Sequence, residues 1–121
     1  MSNAKEVADT IIAQFGSYPS MVMIGVKNVV YGTSDGQNHN IPSGNEGDVY
    51  VDITYKAKAK VIDGKRPNAV RVIYNQVSDT YTMIFYRIHG SRVTAIKTVE
   101  GVYGDMLKTI FVDTTELYLK I

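Results

Sequence analysis

The chain has 121 residues, 45% hydrophobic and 21% charged, which is enough to bury a core as one domain, residues 1–121, without disulfides or metals. Zero cysteines exclude disulfides, cysteine nucleophiles and thiolate metal sites, and no run of about eighteen apolar residues offers a membrane span. Thirteen basic and twelve acidic residues leave a formal charge of +1. That matches neither an acidic DNA mimic nor a strongly basic nucleic-acid binder, so only a local patch can carry such a role.

Residues 3–15 read as an amphipathic helix, with Val7, Ala8, Ile11, Ile12 and Phe15 on one stripe. Asn3 and Glu6 form a capping-box pattern, and Gly16 is placed to end the helix. This acid-bearing N-terminus has no apolar core of a secretory signal, and a cytoplasmic place is expected. After a turn at Tyr18-Pro19-Ser20, residues 21–31 predict a long strand with room for a bulge at Gly25. Residues 32–47 have a loop composition, with space for a short strand around His39 to Ile41.

Residues 50–62 alternate strictly. Val51, Ile53, Tyr55, Ala57, Ala59 and Val61 share one face; Asp52, Thr54, Lys56, Lys58 and Lys60 share the other. The turn at 63–68 leads into Ala69–Thr98, three strands of β-formers joined by turns at Ser78-Asp79 and His89-Gly90-Ser91. The expected register pairs Lys60 with Arg71, Lys58 with Ile73 and Lys56 with Asn75. It also sets Tyr74 opposite Met83 and Val72 opposite Phe85. Both pairings keep Val70, Val72, Tyr74, Met83 and Phe85 on the core face and the lysines with Arg71 on the other.

Residues 102–113 predict a second helix through Val102, Tyr103, Met106, Leu107, Ile110 and Phe111. Asp113 to Glu116 is a poor helix interior, and Leu117, Leu119 and Ile121 suggest a short closing strand. The expected fold is α+β: an antiparallel sheet of five or six strands with an N-terminal and a C-terminal helix packed on one face.

The run Ser78 to Tyr118, with the strand Gly25-Val26-Lys27-Asn28-Val29-Val30-Tyr31-Gly32, resembles a group of small uncharacterised proteins of tailed bacteriophages and prophages. The likeness is carried by Asp79-Thr80-Tyr81, by Arg87-Ile88-His89-Gly90, and by an ending through Val102-Tyr103, Leu107, Ile110-Phe111 and Leu117-Tyr118. It departs in two places: the segment from about Asp48 to Asn68 is longer here, and Glu116 stands where a glycine is usual. The resemblance implies a phage or prophage origin and a shared topology, and it implies no chemistry.

Candidate sites are few. Lys56, Lys58, Lys60, Lys65, Arg66 and Arg71 form a basic row that suits a phosphate backbone or an acidic partner, or else guards an edge strand against aggregation. Arg87, His89 and Arg92 form a small cluster able to hold an anion. Tyr50, Tyr55, Tyr74, Tyr81, Tyr86 and Tyr103 can stack bases, line an interface, or simply pack. His39 and His89 are too isolated for a metal site, and no serine elbow, phosphate loop or acid–base pair occurs, so no cofactor and no enzyme activity are expected. The reading is a non-enzymatic phage accessory protein that binds another protein. The alternatives are a nucleic-acid or nucleotide-binding module using the basic strand 56–71, and a homo-oligomeric structural protein such as a homodimer.

Overall fold

A computed structural model describes residues 4–14, 25–37 and 40–117. It contains α1 (Ala4–Gln14), β1 (Val26–Thr33), β2 (Val49–Tyr55), β3 (Ala69–Asn75), β4 (Thr80–His89), β5 (Arg92–Val102), a 3-10 turn (Gly104–Met106) and α2 (Leu107–Thr115). The strands form one five-stranded antiparallel meander in the order β1-β2-β3-β4-β5. Short turns join β3 to β4 and β4 to β5 as antiparallel hairpins, while longer connections join β1 to β2 and β2 to β3. The fold is the expected α+β class. The capping residues of the first helix, the turn at Tyr18, the strand start at 21–24, His39 and most of the closing strand lie outside the described residues.

One face of the sheet carries the main core. Ala8, Ile11 and Ile12 of α1 and Leu107 and Phe111 of α2 pack on Val51, Ile53, Tyr55, Val70, Val72, Met83 and Phe85. Removing these side chains from water, at roughly 25 cal/mol per Å² of apolar area, is the main force holding helices to sheet. Phe111 meets Tyr55 edge-on at 5.6 Å and lies 6.2 Å from Phe85.

The second face has its own cover. The β1–β2 loop folds back across it as a strap and buries Ile41 against Ala69, Ile73, Ile84 and Tyr86. The strap is closed by Ser34 N–H to Asp48 O (2.7 Å), Gly47 N–H to Ser34 O (2.9 Å) and the paired hydroxyls of Ser34 and Ser43 (2.7 Å). Gly44 sits at φ +97°, where an added Cβ would come within 2.8 Å of both Asp48 Oδ2 and Ile73 Cγ2. Only glycine lets the strap lie this close. The expected short strand at 39–41 does not form across Asn40 and Ile41.

Four expectations about the elements are corrected. The lysines do not extend β2. The β2–β3 ladder ends at Thr54–Ala69, Arg71 pairs with Asp52 and not Lys60, and Ile73 pairs with Tyr50. Alanine and lysine are poor strand residues, and Pro67 has no N–H for a ladder, so the pairing stops where the β-formers stop. Residues 56–61 leave the sheet: Ala59 is buried in the helix-side core, and Lys60 N–H donates to Thr115 O at 2.8 Å. A small reversal at Asp63-Gly64, both at positive φ, pairs Ile62 with Lys65.

The β3–β4 turn is the second correction. Tyr74 lies opposite Tyr81 and Val72 opposite Met83, because Asn75 pairs with Thr80 and Asp79 N–H returns to Asn75 O at 2.8 Å. Both slips are even, so each residue keeps its expected face. Third, Val102 belongs to β5, paired with Tyr81, and Tyr103 and Met106 are exposed before α2 begins. Fourth, α2 runs on through Thr114 and Thr115, whose hydroxyl donates to Phe111 O at 2.7 Å. Backbone competition from threonine is absorbed inside the last turn. The helix ends on Glu116 at φ +59°, a left-handed position that favours glycine.

Candidate functional site

An antiparallel meander sends its connections alternately to the two ends of the sheet. The β1–β2 strap, the β3–β4 turn and the exit from β5 share one end; the start of β1, the β2–β3 connection and the β4–β5 turn share the other. Charge is divided between them very unequally. Asp35, Glu46, Asp48, Asp79, Glu100 and Asp105 fall at the first end, in segments that hold no lysine or arginine. Lys27, Lys56, Lys58, Lys60, Lys65, Arg66, Arg87 and Arg92, with His89, fall at the second. The acids there are Asp63 in the small reversal and Glu116 at the end of α2.

Two adjoining open hollows mark this basic end. One, of about 390 Å³, has Lys27, Lys56, Lys58, Arg66 and Arg87 on its walls. The other, of about 630 Å³, has Lys65, Arg87, His89 and Arg92. Arg87 borders both, and its Nη1 donates to Arg66 O at 3.1 Å, which fixes the connection against β4. Asn68 fastens the same place: its Nδ2 donates to Ile88 O at 2.9 Å and its Oδ1 accepts from Ile88 N–H at 2.8 Å. Buried Pro67 adds a fixed φ beside it. The cations therefore stand on an anchored connection with exposed side chains.

Of the nine basic residues singled out from sequence, Lys56, Lys58, Lys65, Arg66, Arg87, His89 and Arg92 line these two hollows. Lys60 and Arg71 do not. Lys60 is exposed beside the end of α2. Arg71 lies mid-strand on the strap face, where Nε and Nη2 donate to Asp52 at 2.7 and 2.9 Å, and Nη1 donates to Ile41 O and Pro42 O at 3.3 and 3.1 Å. Its guanidinium stacks 4.5 Å from the Tyr50 ring centre. Burial works against this charge, but the hydrogen bonds and the carboxylate of Asp52 outweigh it and raise the Arg71 pKa. Arg71 is a clasp for the strap, with its donors turned inward. Lys27 joins the basic end although no local pattern marked it; the meander topology was the signal that could have found it.

The tyrosines divide in the same way. Tyr55, Tyr81 and Tyr86 are buried, and Tyr74 packs on Tyr81 at 5.3 Å between ring centres. Burial pushes the hydroxyls of Tyr55 and Tyr86 well above the usual tyrosine range, and the Tyr55 hydroxyl has no hydrogen-bond partner among the described residues. Tyr74 donates to Asp79 Oδ1 at 2.6 Å, and this bond to the carboxylate raises its pKa. Among the described residues only Tyr31 and Tyr103 are strongly exposed, and both lie toward the acidic end. Among the described residues no group of three or more His, Asp or Glu is placed to hold a metal ion, and no helix is long and apolar enough to cross a membrane. Comparison with protein-family models, curated proteins and solved structures finds no match to this chain.

Proposed function

We propose that this chain is a non-enzymatic binding protein that docks an anionic macromolecule on the basic end of its sheet. The observation that carries the reading is the segregation of charge: cations from β1, the β2–β3 connection, β4 and β5 converge on one end, and six of the twelve acids collect at the other. Such a division creates a local field that the formal charge of +1 conceals. The likeness of residues 78–118 to small phage proteins supports a role as a phage or prophage accessory protein in the host cytoplasm. Elution from a heparin column tests the docking surface. The double variant Lys58→Glu/Arg66→Glu should elute at clearly lower salt than the parent. An unchanged elution position, with the fold intact by circular dichroism, rejects the reading.

A second reading, self-association, has its own support. β1 is an edge strand, and Val30 and Tyr31 on it are each 48% exposed. Unpaired edges with exposed apolar residues favour strand addition. A homodimer formed through β1 should give way to monomer on Val30→Lys, as read by sedimentation velocity; a parent that is already monomeric at high concentration rejects it.

A further inference from the structure

We infer that the ligand of the basic end is duplex nucleic acid, held by its phosphate backbone without reading of sequence; this rests on the docking surface proposed above and names its occupant. Three observations point there. The first is spacing. Neighbouring strands stand about 4.8 Å apart, so a row of cations from Lys27 on β1 to Arg92 on β5 crosses roughly 19 Å. A duplex presents one phosphate charge per about 1.7 Å of axis, so a row of that length faces roughly five phosphates on each strand.

The second observation is what the surface lacks. Single-stranded nucleic acid is held by bases stacked on aromatic rings. Among the described residues, the strongly exposed tyrosines, Tyr31 and Tyr103, lie toward the opposite end of the sheet. A duplex, with its bases already stacked, needs only the cations. The third concerns protein partners. Protein interfaces are centred on buried apolar anchors. Among the described residues, Val61 alone of the large exposed apolar side chains lies at this end, whereas Val77, Tyr103 and Met106 lie at the acidic end. The acidic end then points away from the polymer, which sets the orientation of the protein on it.

The chemistry predicts a salt law. With about four phosphates neutralised, affinity should fall about 100-fold between 50 and 200 mM salt. Mixed-sequence duplexes of equal length should bind equally, since phosphate contacts carry no sequence information. The test is fluorescence anisotropy with a labelled 30-base-pair duplex, and in parallel with labelled polyglutamate. The full chain is compared with Lys58→Glu/Arg66→Glu, with Arg92→Glu on a separate turn, and with Lys97→Glu in mid-β5 as a control whose charge change equals that of Arg92→Glu. The inference expects duplex binding with the steep salt slope, weakened at least tenfold in both basic-end variants and within about twofold of the parent in Lys97→Glu. Duplex binding that survives in the basic-end variants overturns it. Binding of polyglutamate but not duplex, lost in the same variants, overturns the duplex ligand and leaves the docking surface standing. Binding of neither overturns both.

Discussion

The two ends of the sheet are built from the same kind of connection between the same strands, yet they use their charges in opposite ways. At the acidic end Asp35, Asp48 and Asp79 are structural. Asp48 is buried, and it accepts from Asn45 N–H at 3.0 Å and Gln76 N–H at 3.2 Å while Asn75 Nδ2 approaches at 3.4 Å. Asp79 accepts from Tyr74, and Asp35 from Gln37 N–H at 2.9 Å. At the basic end the hydrogen bonds that hold the loops come from the neutral Asn68 and from one nitrogen of Arg87, so the remaining cations face solvent. A charge bonded to its own backbone is part of the fold. A charge held on an anchored loop without such bonds is available to a partner.

Substitutions can break or sharpen this contrast. The largest loss should come from Arg71→Ala, which unclasps the strap and leaves Asp52 with side-chain exposure of only 18% and no cation. About 3 kcal/mol is expected in urea unfolding. A loss under about 1 kcal/mol would show that Ile41 and the strap's own hydrogen bonds hold it without the Arg71 clasp. Asp48→Ala follows at about 2 kcal/mol, because two backbone N–H groups lose their acceptor. The same measurement should find Lys58→Ala and Arg92→Ala within about 0.5 kcal/mol of the parent, the smallest effects, despite their effect on ligand binding.

Between these extremes lie two changes that should stabilise. Tyr55→Phe removes a buried hydroxyl without a partner and should add about 1 kcal/mol. It also probes alkaline stability. Tyr55 and Tyr86 hold their protons in the fold above the ordinary tyrosine pKa of about 10, at which the unfolded chain releases them. Their contribution is therefore complete below about pH 10 and is lost as pH rises beyond it. The melting temperature should fall above that pH, less steeply in Tyr55→Phe; an identical fall in both proteins would contradict the assignment. Glu116→Gly should add somewhat less, about 0.5–1 kcal/mol, by relieving a left-handed conformation. The same variant removes an acid from the basic end, so heparin elution should move to higher salt.

Much of the fold was legible in the residues. Period-two alternation in Val49–Tyr55 and Ala69–Asn75 marked the core face correctly even where the register was displaced, because both displacements were even. The strap was not legible. Ile41 is a lone apolar residue among polar neighbours, and one residue has no period. Arg71 was grouped with the lysines because its partner depends on register, which stops at Thr54 for want of β-formers beyond Tyr55. Glu116, singled out in the sequence, ends α2 in a left-handed backbone conformation that glycine adopts at least cost.

By itself the sequence determined the order of elements, the face each strand buries and a charge close to neutral, since all three follow from local period and composition. Tertiary structure alone decided which cations meet. A meander sorts its loops by end, so Lys27 and Arg92, far apart in the chain, join Lys58 and Arg66 while Lys60 and Arg71, their near neighbours, stay out of the two hollows. Electrostatic fields depend on distance in space, and distance in space is what folding creates.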